Sequence, residues 1–379
     1  MNTKAEIRKR ALLCAGGTGG HLFPAHALAG ELMRRGFDVH LVSDDRIETY
    51  AKDFPASERH RLASATLAGK NPLKLLKALL VLAKSYFSAL NLIRRIKPDV
   101  VVGFGGYPTV PPVLAAATRG VPSLIHEANA VLGRANWFLS FRVSAVALGL
   151  PLAQETMIKT IYTGNPVRDA VLVAAETAYA SPVADGEFRL TVFGGSQGAQ
   201  FFSAVVLKAI GLLSPEFRAR LRIVQQARTE DEIAVRSAYD VMAVRADVAT
   251  FFTDMPARIA ASHLVISRSG ASTTAELAVI GRPAILIPYP HALDHDQAAN
   301  AALLVEHGGG WVVPQSEVTP EWLARELEKH MEDGAGLAVA AANARAQGRP
   351  DAALRLAKVV EALASGQSPD QSVADRPSA

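Results

Sequence analysis

The sequence predicts an α/β protein made of two doubly wound parallel sheets, and three observations carry that reading. A strand-then-helix rhythm runs through the first half of the 379 residues and restarts in the second. Each half opens with a glycine turn at a strand-to-helix junction, Gly16-Gly17-Thr18-Gly19-Gly20-His21 and Gly194-Gly195-Ser196-Gln197-Gly198-Ala199. The chain is also longer than one hydrophobic core usually supports. Backbone N–H groups in such turns approach oxyanions closely, and the helix behind each turn presents the positive end of its dipole. Two turns imply two anion-facing half-sites, expected to face each other across an interdomain cleft.

Taken in order, strand-like runs at 11–15, 38–42 and 100–102 alternate with helix-like stretches, and 123–126 and 143–147 add two more. The second series comprises 188–193, 221–225, 264–267 and 284–288, each ending in a turn or a helix start. Thr163-Gly164-Asn165-Pro166 and Ser181-Pro182-Val183-Ala184-Asp185-Gly186 break the periodicity, which puts the connection near 164–186. The expected division is an N-terminal domain over 1–165 and a C-terminal domain over 166–349. A helix over 350–365 is expected to pack back on the first domain, and a disordered Ser/Pro/Asp/Gln-rich tail to occupy 366–379.

Composition narrows the partners. Apolar residues make up 49% of the chain, yet no apolar run reaches the roughly 18 residues that cross a bilayer. The apolar stretch at 11–15 is too short for a signal peptide, and the lone Cys14 admits no internal disulfide, so a reducing, cytoplasmic setting is expected. Residues 1–165 carry 21 Lys/Arg against 11 Asp/Glu and the remainder 19 against 25, a net +10 followed by −6. A basic first half suits an anionic partner. With only 6% aromatic residues and no basic-aromatic interleaving, nucleic acid is disfavoured and an acidic lipid surface is left.

One helix bears on that surface. Over 74–95, Lys74, Lys77 and Lys84 share an edge with Ser88, Asn91 and Arg95, while Leu76, Leu80, Ala83, Phe87 and Leu90 are expected to face the core. This leaves Leu75, Leu79, Leu82, Tyr86 and Ile93 as a second apolar stripe beside the lysines, suited to an anionic membrane. The alternative is an ordinary buried helix with a solvated lysine edge.

The chemistry-bearing residues cluster at predicted strand ends. Gly17-Thr18-Gly19, with Asp44 and Asp45 downstream, resembles the start of a dinucleotide fingerprint, but Leu22 stands where the third glycine belongs. That argues against a nicotinamide enzyme. Gly103-Phe104-Gly105-Gly106-Tyr107-Pro108 is a further glycine turn able to cradle a second phosphate-bearing ligand. His21 is either a proton acceptor for an attacking hydroxyl or a group that hydrogen-bonds the helix start. His126-Glu127-Ala128-Asn129 is either a polar site at a strand end or a structural cap. Glu276 either accepts from a ribose diol or lies on a solvated helix face. Asp294-His295-Asp296 resembles a metal-holding pair but sits in a permissive polar stretch, so no metal site and no cofactor are expected.

Six motifs occur in one order: the two glycine turns, Gly105-Gly106-Tyr107, His126-Glu127, Thr163-Gly164-Asn165-Pro166-Val167-Arg168 and Arg268-Ser269-Gly270-Ala271. Together, over about residues 11–365, they resemble the MurG family of bacterial cell-wall glycosyltransferases. The resemblance implies a GT-B fold and inverting transfer of N-acetylglucosamine from UDP-N-acetylglucosamine to lipid I, forming lipid II without a metal. It implies peripheral attachment to the cytoplasmic face of the inner membrane, beside cell-wall and division machinery. It further implies donor contacts at Gly17, Thr18, Gly19, Asn129, Arg168, Ser196, Phe252, Ala271, Ser272, Thr273, Glu276 and Gln297. Acceptor contacts are implied at Gly20, Gly105, Gly106 and Tyr107, and His21 is the base with Glu127 in reserve. A transferase using another lipid acceptor such as diacylglycerol, or a non-catalytic nucleotide-sugar binder, remains an alternative.

Overall fold

The computed structural model describes residues 8–16, 19–44, 53–65, 71–154, 156–195, 200–292 and 296–369. Its first sheet holds β1 (Arg10–Cys14), β2 (Asp38–Ser43), β3 (Glu58–Arg61), β4 (Val100–Gly103), β5 (Ser123–Glu127), β6 (Ala145–Leu148) and β7 (Thr160–Tyr162). The second holds β8 (Phe188–Phe193), β9 (Leu221–Gln226), β10 (Arg245–Ala249), β11 (Leu264–Ser267), β12 (Ala284–Leu286) and β13 (Gly310–Val312). Every pairing is parallel, in the orders β3-β2-β1-β4-β5-β6-β7 and β10-β9-β8-β11-β12-β13. Both sheets therefore reverse direction of growth once, between β1 and β4 and between β8 and β11, the topology of doubly wound nucleotide-binding folds.

Helices cover both faces of the first sheet, so its central strands are apolar throughout. Strand alternation sends Ala11 and Leu13 to a core shared with the helix Gly19–Arg34, and Leu12 and Cys14 to the opposite core. Cys14 is buried, and desolvation pushes its thiol far above the ordinary range. In the second sheet, Leu190, Val192 and Ile223 pack with Phe202, Val206 and Tyr239.

The chain divides into two compact units, one running to Arg168 and resuming at Asp351, the other spanning Asp169–Pro350. The boundary thus falls three residues later than the expected 165/166, and Arg168, the last residue before it, stacks its guanidinium 4.0 Å over the Phe23 ring of the same unit. The helix Ala352–Ala364 returns to that unit and packs on Gly19–Arg34. Its Leu356, Val359, Val360 and Leu363 are buried there, at about 1.5–3 kcal/mol each for burying such side chains. Of the expected tail, residues 370–379 lie outside the described residues.

The helix Pro72–Ile96 starts at Asn71, whose side chain accepts from the N–H groups of Leu73 (3.0 Å) and Lys74 (3.2 Å), and Pro72 occupies the first turn. Its orientation corrects the sequence expectation. The buried stripe is Ala78, Ser85, Ala89, Leu92, Ile93 and Ile96, whereas Leu76, Leu80 and Phe87, expected in the core, are exposed together with Leu73, Leu75 and Leu79. Leu82 and Tyr86 are half-buried, Ile93 of the expected second stripe is buried, and Lys74, Lys77 and Lys84 are exposed. Small residues face inward because the helix packs closely on Val110–Thr118, with the Tyr86 hydroxyl donating to Thr118 Oγ1 at 3.0 Å. At 25 residues it is long and apolar enough by length and composition to cross a membrane, although no unbroken apolar run in the sequence is that long.

Candidate active site

Both glycine turns lie where their sheets reverse. In the first unit, the chain leaves β1 through Ala15 and Gly16 and leaves the adjacent β4 through Phe104, Gly105 and Gly106. Gly105 and Gly106 adopt φ of +93° and +78°, a region that favours glycine. The His21 imidazole is wedged among these turns. A Cβ at Gly16 would meet its Nδ1 at 3.2 Å, one at Gly105 its Nε2 at 3.2 Å, and one at Gly106 its Cε1 at 3.4 Å. Three glycines therefore pack against one ring, and a Cβ on Gly16 or Gly105 would require the imidazole to shift by a few tenths of an ångström. Tyr107 begins the short helical turn Tyr107–Thr109, closed by Thr109, whose hydroxyl donates to the Gly106 carbonyl at 2.7 Å.

Beside this turn, β5 delivers His126 and Glu127. The Glu127 carboxylate is buried and both its oxygens are engaged. Oε1 accepts from Asn129 N (3.0 Å) and Nδ2 (3.1 Å), and Oε2 accepts from Gly133 N (3.0 Å) and Asn136 Nδ2 (2.8 Å). Burial raises the Glu127 pKa, and these four donors pull against that rise. His126 is fully buried, donates from Nε2 to the Gly164 carbonyl at 3.3 Å, and is pulled down to about 4 by desolvation, so its ring is neutral at pH 7. Asn136 links the two features, since a Cβ at Gly105 would also meet its amide nitrogen at 3.4 Å. Sequence reasoning missed Asn136. It stands nine residues past Glu127 in a short helix, Arg134–Ser140, and no spacing marks it.

In the second unit, β8 ends at Gly194 and Gly195, and adjacent β11 ends at Arg268, Ser269 and Gly270 before the helix Ala271–Ile280. Gly195 has φ +87°, and an added Cβ there would meet nothing within 4 Å. The helix begins at a glycine, which supplies no capping side chain, so its first amides are left for another acceptor. Ser272 in this turn has a buried Oγ with no hydrogen-bond partner among the described residues. Glu276, one turn on, is buried rather than on a solvated face.

Arg268 braces this end of the sheet. It donates to the Ile287 (2.9 Å) and Pro288 (3.1 Å) carbonyls and to Gln315 Oε1 (2.6 Å), and desolvation lowers its pKa. Gln297, in the helix Asp296–Glu306, accepts from the Tyr289 N–H at 2.9 Å, and its carbonyl accepts the Ser269 hydroxyl at 2.7 Å. Phe252 follows β10, buried under the Arg258 guanidinium at 4.2 Å.

The structure thus brings His21, Gly105, Gly106, Glu127 and Asn129 to strand ends of one sheet. It brings Phe252, Ala271, Ser272, Thr273, Glu276 and Gln297 to strand ends of the other, with Gly19 and Gly20 opening the helix Gly19–Arg34. Gly17, Thr18, Ser196, Asp45, Asp294 and His295 lie outside the described residues. Phe23, Tyr289 and Gln315 were not anticipated, and only packing reveals them.

Comparison with known proteins matches this architecture across both units. The glycosyltransferase family 28 N-terminal domain matches residues 11–148, and the family 28 C-terminal domain matches residues 189–356. The UDP-N-acetylglucosamine–N-acetylmuramyl-(pentapeptide) pyrophosphoryl-undecaprenol N-acetylglucosamine transferase of Chelativorans sp. (strain BNC1) is 57% identical over 359 residues, covering 94% of this chain and 96% of that protein. Its counterpart in Sinorhizobium fredii is 58% identical over 358 residues, covering 94% and 96%. Among solved structures, Acinetobacter baumannii MurG superposes with a TM-score of 0.75 at 28% identity, covering 93% of this chain and 99% of that one. The Streptomyces sp. SF2575 glycosyltransferase SsfS6, complexed with thymidine diphosphate, shares the fold alone at TM-score 0.60 and 17% identity, covering 92% and 99%. The chain has the GT-B fold and belongs to the MurG family of N-acetylglucosamine transferases within glycosyltransferase family 28.

Proposed function

We propose that this protein transfers N-acetylglucosamine from UDP-N-acetylglucosamine to the muramoyl 4-hydroxyl of lipid I, with inversion, forming lipid II for peptidoglycan. The end-to-end identity with transferases of that name carries the reading. In this reading the first unit takes the acceptor against Gly20, Gly105, Gly106 and Tyr107, and His21 accepts the hydroxyl proton as the new bond forms. The three-glycine cradle supports His21 in that role because it fixes the ring. Glu127 positions Asn129 and Asn136, and its four hydrogen bonds favour that over proton transfer.

The second unit takes the donor. The amides opening Ala271–Ile280, with Ser272 and Thr273, offer N–H and hydroxyl groups to the leaving diphosphate, and Glu276 accepts from the ribose. Ser196, Arg168 and the turn at Gly17, Thr18 and Gly19 add to the donor contacts, Gln297 and Asn129 meet the sugar, and the uracil lies at the backbone of Phe252. Aligned dipoles neutralise the charge that a divalent metal neutralises in other transferases, so transfer proceeds in chelator.

We further assign the exposed leucine face of Pro72–Ile96 to the cytoplasmic surface of the inner membrane, where the undecaprenyl chain resides and cell-wall and division machinery consumes the product. Its support is a row of exposed apolar side chains, Leu73, Leu76, Leu80 and Phe87, beside Lys77 and Lys84. Radiolabelled transfer from UDP-N-acetylglucosamine, with and without chelator, tests the whole reading. Label entering lipid I but not diacylglycerol is the expected result. UDP release with diacylglycerol alone, or with neither acceptor, overturns it. Leu76→Ser with Leu80→Ser tests the membrane face by loss of binding to anionic vesicles.

A further inference from the structure

Apart from the transfer site, the edge of the first sheet gathers two histidines and a carboxylate. In the β2–β3 pairing, His40 stands opposite Glu58 and Val42 opposite His60. The period of two sends all three polar side chains to one face, the face where Val42 packs with Leu92 and Ile96 of the helix Pro72–Ile96. Their ligand atoms converge. His40 Nδ1 and His60 Nε2 are 3.2 Å apart, and each lies 3.7 Å from Glu58 Oε2. Three atoms so spaced lie on a circle of radius about 2.1 Å, the length of a zinc–nitrogen or zinc–carboxylate bond.

We propose that His40, Glu58 and His60 bind a divalent transition-metal cation of the zinc class, cross-linking β3 to β2 beneath the C-terminal turn of the Pro72–Ile96 helix. Two imidazoles and one carboxylate are a borderline-soft donor set that suits zinc rather than magnesium or calcium. Asp38 completes the arrangement from behind, with Oδ2 3.4 Å from His40 Nε2, the second-shell carboxylate that orients a ligating imidazole. Both rings are buried while the Glu58 side chain is 54% exposed, so the remaining coordination position opens to water. Burial also keeps His60 below the ordinary histidine range, against the pull of Glu58, which favours the neutral ring that a metal requires.

Arg95 competes for the same place. Its Nη2 donates to His60 Nδ1 at 3.3 Å and lies near Glu58 Oε1 at 3.8 Å. With Nδ1 accepting, the ring proton sits on Nε2 and is donated to His40 Nδ1. Metal binding moves that proton to Nδ1 and expels Arg95, whose side chain is 65% exposed and free to swing away.

Calorimetric titration of the full, chelator-stripped chain with Zn²⁺ alone tests this, with the visible spectrum of Co²⁺ as a second readout of His ligation. We expect one tight equivalent in the wild type. Affinity should fall about a hundredfold in His40→Ala/His60→Ala and about ten- to a hundredfold in Asp38→Asn, and rise about tenfold in Arg95→Ala. Glu58→Gln, on the solvent side of the edge strand, keeps the comparison valid if the histidine pair fails to fold, and should weaken binding about tenfold. Equal affinity in the wild type and both ligand variants overturns the proposal, as does absence of a stoichiometric site in both the wild type and Arg95→Ala. Because transfer is expected to persist in chelator, failure here leaves the donor and acceptor assignments standing.

Discussion

The two sheets reverse at equivalent places, yet the sites they build there differ in how much protein already fills them. At the β1/β4 junction, three glycines from two turns close on one imidazole, and a neighbouring carboxylate has both oxygens engaged. Among the described residues at the β8/β11 junction, Gly195 borders open space, Gly270 offers no cap, and the Ser272 hydroxyl is buried without a partner. The first site holds a fixed imidazole, and the second an uncapped helix start beside a buried hydroxyl. One sheet topology therefore carries two different arrangements, and what distinguishes them is which hydrogen-bonding groups the protein satisfies by itself.

If that contrast is right, the largest loss follows from emptying the first site. His21→Ala should lower kcat for transfer to lipid I about 10²–10⁴-fold, the usual contribution of a positioned general base, with little change in the KM for UDP-N-acetylglucosamine. Near-full turnover would remove His21 as the base. A rise in donor KM with kcat intact would instead make it part of the donor site.

Acid should weaken the first site through His126. Its folded pKa of about 4 lies below the ordinary 6.5, so the folded state binds fewer protons than the unfolded chain between those values. The stability it contributes is complete above pH 6.5 and is lost as pH falls through 4, about 3 kcal/mol in all. Urea unfolding at pH 8 and pH 4 should show a wild-type difference larger by that amount than in His126→Gln. Equal differences would mean that the ring does not stay neutral in the fold.

Much of this contrast is legible in the sequence, and the exceptions have identifiable causes. β1, β4 and β11 are short, nearly continuous apolar runs, and β8 alternates apolar Phe188, Leu190 and Val192 with Arg189 and Thr191, so all four announce themselves. The strand β3 reads Glu-Arg-His-Arg, an edge strand with one buried residue and no apolar signal. β10, with two charges in five residues, is concealed in the same way. For Pro72–Ile96, hydrophobicity pointed to the wrong face. Close packing selected Ala78, Ser85 and Ala89, and the larger leucines were left outside. At the candidate site the glycine turns and His21 were visible as motifs, whereas Asn136, Phe23 and Gln315 act through contacts that sequence distance hides.

A matched pair of glycine substitutions sharpens the comparison further. Gly105→Ala and Gly195→Ala both force a side chain into positive φ, at a cost of about 1–3 kcal/mol each. Only the Gly105 methyl would press on His21, with Nε2 at 3.2 Å. Both variants should therefore lose similar stability, while kcat falls further in Gly105→Ala. Equal kinetic loss would mean that the cradle does not act through His21.

The smallest expected effect separates binding from folding at the second site. An unpartnered buried hydroxyl contributes no hydrogen bond to the fold and still carries a desolvation penalty, so Ser272→Ala should leave thermal stability unchanged or slightly raised. If that hydroxyl meets the leaving diphosphate, the same variant should raise the KM for UDP-N-acetylglucosamine by about tenfold, near 1.4 kcal/mol, typical of one hydrogen bond to a charged group. Melting curves and donor saturation kinetics on one preparation read both quantities. A destabilised protein would show that the hydroxyl has a partner within the fold, and an unchanged KM would show that the diphosphate is held by backbone amides alone.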